Sequence, residues 1–333
     1  MHELDPEFPG RLESFIAEGG HRLVVNTSGS GKTKLVLETL WRHWGLFITA
    51  SWHPVINPHG SDDLAIVLRT FDAHSPCREV PLATKMGDDP SPELVRNRAL
   101  LAQQMEILVL ARLWLLDYFW TLASTAGLSD DDARIRWFWL QMRTLEIAGM
   151  SVPLSFIIAA QGLDRAERMQ QIRLLAEAHK DRLPFVAIDE AQILNQTRTR
   201  SFASRDLRRH CPILREILVC LGSLLPHSRL IACGTEIDEE TFEDAVLASQ
   251  STIRTYRRFC ALGRFWDIED IRRYMEHFLG EMSQENVALA HRYFRGRYAA
   301  WPAVLRPSLI RVSDTGSSPC WSKEPSFTGN LNI

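Results

Sequence analysis

The sequence predicts an α/β fold with a mainly parallel sheet, and three observations point to it. Short apolar runs alternate with segments of helical periodicity along most of the chain. A polar, glycine-bearing turn, Asn26 to Gly31, joins the first apolar run to the first helical segment. A later apolar run stops abruptly at two acids, Asp189 and Glu190.

Taken in order, Arg22-Leu23-Val24-Val25 reads as a buried strand. From Lys32 to Trp44, Val36, Leu40 and Trp44 recur at four-residue spacing, as do Leu37 and Trp41, which is helical. Gly45 is expected to close that helix, and Leu46 to Ala50 follows as a second strand. Between His53 and Pro92 the Pro, Gly, Asp and His residues read as loops around one short element, Leu64 to Arg69. Pro92 opens a long helix, Glu93 to Ala126, because proline suits a helix start. After Gly127-Leu128-Ser129 another helix begins, where Asp130 to Asp132 suit the positive end of its dipole. Helical pattern also covers Asp164 to Lys180.

Pro184 to Ile188 and Arg229 to Cys233 read as compact strands, with a weaker one at Arg258 to Leu262. Asp267 to Gly280 is amphipathic, with Ile268, Ile271, Tyr274, Met275, Phe278 and Leu279 on one face, and Glu285 to Phe294 adds a second helix. The 22 residues from Val312 hold five serines, three charges and no periodicity, so disorder is expected there. The predicted organisation is therefore a leader at 1–21, a main domain at 22–264 with a helical insertion at about 60–180, a helical lid at 265–311 and a tail at 312–333.

Composition bounds the function. Across 333 residues, 38 Lys and Arg face 41 Asp and Glu, for a net charge of −3, with 45% hydrophobic residues. That is ordinary globular composition, and it argues against a protein that coats nucleic acid by bulk charge. The six cysteines form no CxxC pair and read as reduced core thiols of an intracellular chain, cytoplasmic or nuclear. The first twenty residues carry five acids and no apolar run, so no secretory signal is expected. The most hydrophobic stretch, Ile107 to Leu122, contains Arg112 and Asp117 and is short for a membrane span, so it reads as a buried helix.

The chemistry concentrates in Asn26-Thr27-Ser28-Gly29-Ser30-Gly31-Lys32-Thr33. It matches the phosphate-binding pattern GxxxxGK[ST] except that Asn26 replaces the first glycine. Such a loop needs little side-chain bulk, so that successive backbone N–H groups can curl around phosphate oxygens. Gly29 and Gly31 supply permissive backbone angles, and the following helix adds its positive end. Lys32 is expected on the β- and γ-phosphates of ATP, and the Thr33 hydroxyl on Mg²⁺. Asn26 is expected to be tolerated because Asn accepts left-handed backbone well. A strand before and a helix after supply the context that a chance Gly/Ser turn lacks.

Phe185-Val186-Ala187-Ile188-Asp189-Glu190 has the form of the second acidic motif of such proteins. Asp189 is expected to hold the magnesium, and Glu190 to polarise the attacking water as general base. A glutamate here separates water-activating ATPases from P-loop kinases and most GTPases, and no NKxD sequence for guanine follows.

These segments, with His43-Trp44-Gly45, Ile188-Asp189-Glu190-Ala191-Gln192 and Ala232-Cys233-Gly234-Thr235, resemble the P-loop ATPase domain of Crinkler-type proteins of filamentous fungi and oomycetes, which is related to the AAA/STAND branch. The resemblance spans about Arg22 to Tyr298. It implies an ASCE-type P-loop NTPase: a parallel sheet sandwiched by helices, with a large helical insertion and a small C-terminal helical lid. It implies Mg-dependent ATP hydrolysis, which is expected to serve as a conformational switch because no motor or protease signature is present, with a protein partner or a second copy of the chain as candidate partners. By the same resemblance Thr235 is a sensor of the γ-phosphate or attacking water, against the reading of a plain strand-end turn. Arg297, in Arg295-Gly296-Arg297, is a second sensor from the lid, against the reading of an exposed helix-end arginine. Full-length Crinkler proteins carry an N-terminal trafficking module and often a C-terminal effector domain, and 333 residues leave room for neither.

Arg198, Arg200, Arg205, Arg208, Arg209 and Arg215 cluster within 18 residues, opposed mainly by Asp206, and Arg254, Arg257, Arg258 and Arg264 form a second group. Three readings stand for them: a solvated face, an arginine finger on the γ-phosphate, or contacts to nucleic-acid phosphates. The histidines show no metal-ligand spacing, and no GxSxG element occurs. Two rival functions remain, a nucleotide-gated interaction module without turnover and a nucleic-acid-acting effector ATPase.

Overall fold

The structure, a computed structural model, describes residues 8–17, 19–26, 30–52, 60–74, 79–85, 89–143, 152–260 and 268–294. Thr27, Ser28, Gly29, Arg264, Arg297 and the tail 312–333 lie outside the described residues.

Five strands, β1 (His21–Val25), β2 (Leu46–Thr49), β3 (Phe185–Asp189), β6 (Arg229–Gly234) and β7 (Tyr256–Phe259), form one parallel sheet in the order β2-β3-β6-β1-β7. Two shorter strands, β4 (Phe202–Ala203) and β5 (His210–Cys211), pair antiparallel as a separate hairpin. The fold is thus α/β with helices on both faces of the sheet, which is why β2, β3 and β6 are near-continuous apolar runs, whereas the edge strand β7 carries exposed Arg257 and Arg258.

Strand alternation assigns the two faces. Val24, Phe47, Phe185, Ala187, Ile231 and Cys233 share a core with α1 (Phe8–Ala17), α2 (Lys32–Arg42) and α5 (Asp130–Met142). Leu23, Leu46, Ile48, Val186, Ile188, Leu230 and Ala232 face the larger core. That core takes in α3 (Asp63–His74), α4 (Pro92–Thr125), α6 (Val152–Gln161), α7 (Arg165–Ala178), α8 (Gln192–Gln196), α9 (Ile213–Leu224) and α10 (Glu239–Ala248). The connection leaving β1 covers one face, and the connection leaving β6 covers the other. Adjacent strands whose connections diverge in this way open a crevice at their carboxyl ends, the usual ligand position in open α/β sheets.

Helix α4 is the axis of the insertion, packed by α3, α6, α7 and α9. It is long and apolar enough, by length and composition, to cross a membrane, and its most apolar window is 72% buried inside the fold. Ser91 caps it, accepting from Leu94 N at 3.2 Å, with Pro92 at the first helical position. The element expected at Leu64 to Arg69 is the longer helix α3, and the weak strand expected at Arg258 to Leu262 begins two residues earlier, as β7. Helix α2 ends at Arg42, before Gly45, whose glycine serves close packing: a Cβ there would meet Phe185 O at 2.7 Å. At the far end of the described chain, α11 (Ile268–Leu279) and α12 (Gln284–Phe294) pack through Ile271, Met275, Val287 and Ala290, as the amphipathic pattern predicts.

Within the segment expected to be a leader, α1 is an integral helix: Phe8, Leu12 and Phe15 are buried at helical spacing. Buried Arg22 ties its end to the sheet, donating from Nε to Phe15 O at 3.0 Å and from Nη1 to Gly19 O at 2.9 Å. Beside it, His21 accepts from Leu230 N at Nδ1 (2.9 Å), so the neutral ring carries its proton on Nε2 and donates to Ile253 O at 3.0 Å. Burial pushes this imidazole down to about 4. A depressed folded value means the unfolded chain takes up the proton first. The contribution of His21 is therefore complete above pH 6.5 and lost as pH falls towards 4, by roughly 3 kcal/mol. The expected result is a His21 ring that stays neutral down to about pH 4 when its proton resonances are followed. Titration near 6.5 in the folded protein refutes it.

Candidate functional site at the carboxyl ends of β1, β3 and β6

Gly31 stands at the N-cap of α2 with φ 91°, a left-handed conformation that favours glycine. No side chain caps this helix end. The leading N–H groups of a helix have no intrahelical acceptor, and here they point towards the crevice with the positive end of the dipole. Ser30 is buried, and its Oγ finds no partner among the described residues.

Asn26 opens the loop, and the expectation of a left-handed backbone there is corrected. Among the described residues, the non-glycine ones with positive φ are Glu190, Arg198 and Leu207. Asn26 is kept for its side chain instead: Nδ2 donates to Cys260 O at 2.8 Å, fastening the loop's start to the end of β7. Its own N–H points to Gly234 O at 3.4 Å, across the switch point between β1 and β6. Lys32 is buried and reaches back to donate from Nζ to Asn26 O at 2.9 Å. Burial lowers its ammonium below the ordinary lysine range, partly offset by the carboxylates of Glu190 and Asp189.

Asp189 comes from β3, two strands from β1 across β6, which is roughly 10 Å at ordinary strand spacing. Alternation after Phe185 and Ala187 turns its side chain to the α2 face. There Thr33 Oγ1 lies 3.2 and 3.1 Å from its two carboxylate oxygens. Burial pushes the Asp189 carboxyl up to about 6, and the neighbouring Glu190 charge adds to the rise. Hydrogen bonds from the Cys233 thiol and the Thr33 hydroxyl pull the other way without cancelling it. Cys233 acts as a neutral donor, since burial holds its thiol well above the usual range.

Glu190 has φ 56°, a left-handed conformation that a glutamate adopts only when its surroundings impose it. Beside it, Ala191 N donates to Cys233 O at 2.8 Å, tying the turn out of β3 to β6. Glu190 Oε2 accepts from Gln192 Nε2, and Gln192 Oε1 accepts from Thr235 N at 3.2 Å. Thr235 therefore stands at the β6 end beside the acids.

The fold thus brings together Asn26, Ser30, Gly31, Lys32, Thr33, Asp189, Glu190 and Thr235. Cys233 and Gln192 belong to the same site and carried no role in the sequence reading. Both stand in the segments that carry the family resemblance, and the further signals were strand parity for Cys233 and, for Gln192, its position two residues after the base. No family model matches this chain, and no curated protein or solved structure does either.

The basic clusters look different in three dimensions. Asp206 is not the main opposing charge: Arg198 pairs with Asp72, Arg200 with Glu79, Arg209 with Glu240, and Arg215 with Glu216 and Asp244. Arg215 is buried in its pair, while Arg205 and Arg208 are exposed. In the second group, Arg258 pairs with Glu239, and Arg254 donates to Ser249 O at 2.8 Å just past the end of α10. A separate groove of about 500 Å³ lies between α4, α6 and α7, where Glu106 already engages Arg165 and Arg168.

Proposed function

We propose that this protein is a magnesium-dependent ATPase of the P-loop, ASCE type, similar to the ATPase domain of Crinkler-type proteins, working inside the cell as a conformational switch. The observation that carries the reading is the contact between Thr33 and Asp189, with Glu190 next in the chain and Lys32 beside them. A loop hydroxyl and a strand-end carboxylate two strands apart meet at an uncapped helix N-terminus.

The donor set fits magnesium. Two hard oxygen ligands, one anionic, suit an ion that takes few protein ligands and completes its shell with water and phosphate. The Asp189 carboxyl, raised by burial, is under-compensated in a way a cation relieves. When bound, the ion neutralises charge on the β- and γ-phosphate oxygens. Thr33 and Asp189 would hold it.

The chain's own groups do the rest. N–H groups of the 26–33 loop and the first turn of α2 bind phosphate oxygens, and Lys32 supplies a charge that its burial strengthens. Glu190 takes the proton of the attacking water at Oε1, its Oε2 being occupied by Gln192. Thr235 offers a hydroxyl from the end of β6, and Arg297 stays a proposal outside the described residues. Four of the six arginines of 198–215 already have acidic partners, Arg215 in a buried pair and Arg200 and Arg209 on a solvated face, which weighs against nucleic-acid contact.

The test is ATP hydrolysis by the purified chain with and without magnesium, alongside Lys32→Ala. Activity should need the metal and fall at least about 10²-fold in the variant. Equal activity in both proteins assigns the hydrolysis to a contaminant and ends the proposal.

A further inference from the structure

We infer that Gln192 is a positioning residue: its side-chain amide holds the Glu190 carboxylate and couples it to the end of β6 at Thr235. The inference rests on the ATPase reading of this site. Gln192 opens the five-residue helix α8, half-buried. Its two bonds fix the sense of the amide without ambiguity. A carboxylate only accepts, so Nε2 must face Glu190, and a backbone N–H only donates, so Oε1 must face Thr235.

Both ends of this bridge are anchored. Glu190 sits in left-handed backbone, the next residue is tied to β6 by Ala191 N donating to Cys233 O, and its Oε2 meets Gln192 Nε2. On the other side, a Cβ on Gly234 would lie 2.5 Å from Gln192 Oε1 and 3.0 Å from its backbone nitrogen. Glycine at 234 is what leaves room for the amide. A shift of the Thr235 amide therefore pulls on Gln192, and through it on the one carboxylate oxygen that Glu190 does not need for the water. The base and the strand end that flanks the γ-phosphate position move together.

Gln192→Met keeps the length of the side chain and removes both the donor and the acceptor. In the nucleotide-free protein, hydrogen exchange at the Thr235 amide should speed up about tenfold in Gln192→Met and stay near wild type in Gln192→Glu, which keeps an acceptor. With ATP, kcat should fall about tenfold in both variants, and the dissociation constant of a non-hydrolysable ATP analogue should change less than about threefold. In a Glu190→Gln background, Gln192→Met should alter the residual kcat by less than about twofold, because a residue acting through Glu190 has nothing left to position. Gly234→Ala, whose Cβ displaces the amide while residue 192 stays glutamine, should repeat the kinetic loss. A wild-type protein without turnover removes the ATPase reading itself. An active wild type matched by Gln192→Met, or a loss that persists in the Glu190→Gln background, overturns the inference alone.

Discussion

Replacing Glu190 by Gln is expected to lower ATP turnover by about 10²- to 10⁴-fold while nucleotide binding is retained. The substitution is nearly isosteric, and the new side-chain carbonyl can still accept from Gln192 Nε2, so the bridge to Thr235 survives. The backbone bond from Ala191 N to Cys233 O beside residue 190 does not involve the side chain, so it survives too. What disappears is the basicity of the oxygen offered to water. Lys32, Thr33 and Asp189 are untouched, so the dissociation constant for an ATP analogue with magnesium should move less than about threefold. This separation also decides between the two leading functions. In a nucleotide-gated module without hydrolysis, wild type and variant are equally inactive while both bind nucleotide. A variant that hydrolyses ATP as fast as an active wild type shows that another group activates the water, and Glu190 loses its role.

The parts of this site that could be read from the chain are those encoded locally. The loop, its flanking strand and helix, and the acids closing β3 each occupy fewer than about a dozen consecutive residues, and periodicity exposes them directly. What joins them is non-local. The meeting of Thr33 with Asp189 depends on β6 lying between their strands, and β6 comes forty residues after β3. Asn26 illustrates the limit: its residue type suggested a backbone reason, but the structure gives a side-chain one, because its partner Cys260 lies 234 positions away. The arginines of 198–215 were read mainly against Asp206 for the same cause, since Asp72 on α3, Glu79 in the segment 79–85, and Glu240 and Asp244 on α10 reach them only through the fold. Helix α1 is a different kind of miss. Phe8, Leu12 and Phe15 carry helical spacing in plain view, but the acidic residues around them drew the reading towards a leader. Charge on one face of a helix says nothing about burial of the other.

Arg112→Met is expected to destabilise the protein by about 3–5 kcal/mol, a large share of a typical domain's stability. Arg112 interrupts the most apolar part of α4, and the fold buries it almost completely rather than turning it to water. It is held there by the fully buried Asp63 at the start of α3, through Nε, and by Ser61 Oγ at 2.8 Å. Ser61 Oγ in turn donates to Asp63 Oδ1 at 2.8 Å, and Leu64 N donates to the same oxygen at 2.9 Å. Methionine fills much of the arginine's apolar volume, so the cost comes from Asp63, a carboxylate left in the core with two neutral donors and no countercharge. The double variant Arg112→Met with Asp63→Asn removes that charge, and it should recover more than half of the loss. Recovery goes beyond half because the native pair is itself imperfect: Arg112 Nη1 is buried without a hydrogen-bond partner, a cost the double variant no longer carries. Denaturant midpoints of the wild type, both single variants and the double variant measure the cycle. A midpoint in Arg112→Met within about 1 kcal/mol of wild type would mean that water reaches Asp63, and that the α3–α4 junction is looser than its buried ion pair implies.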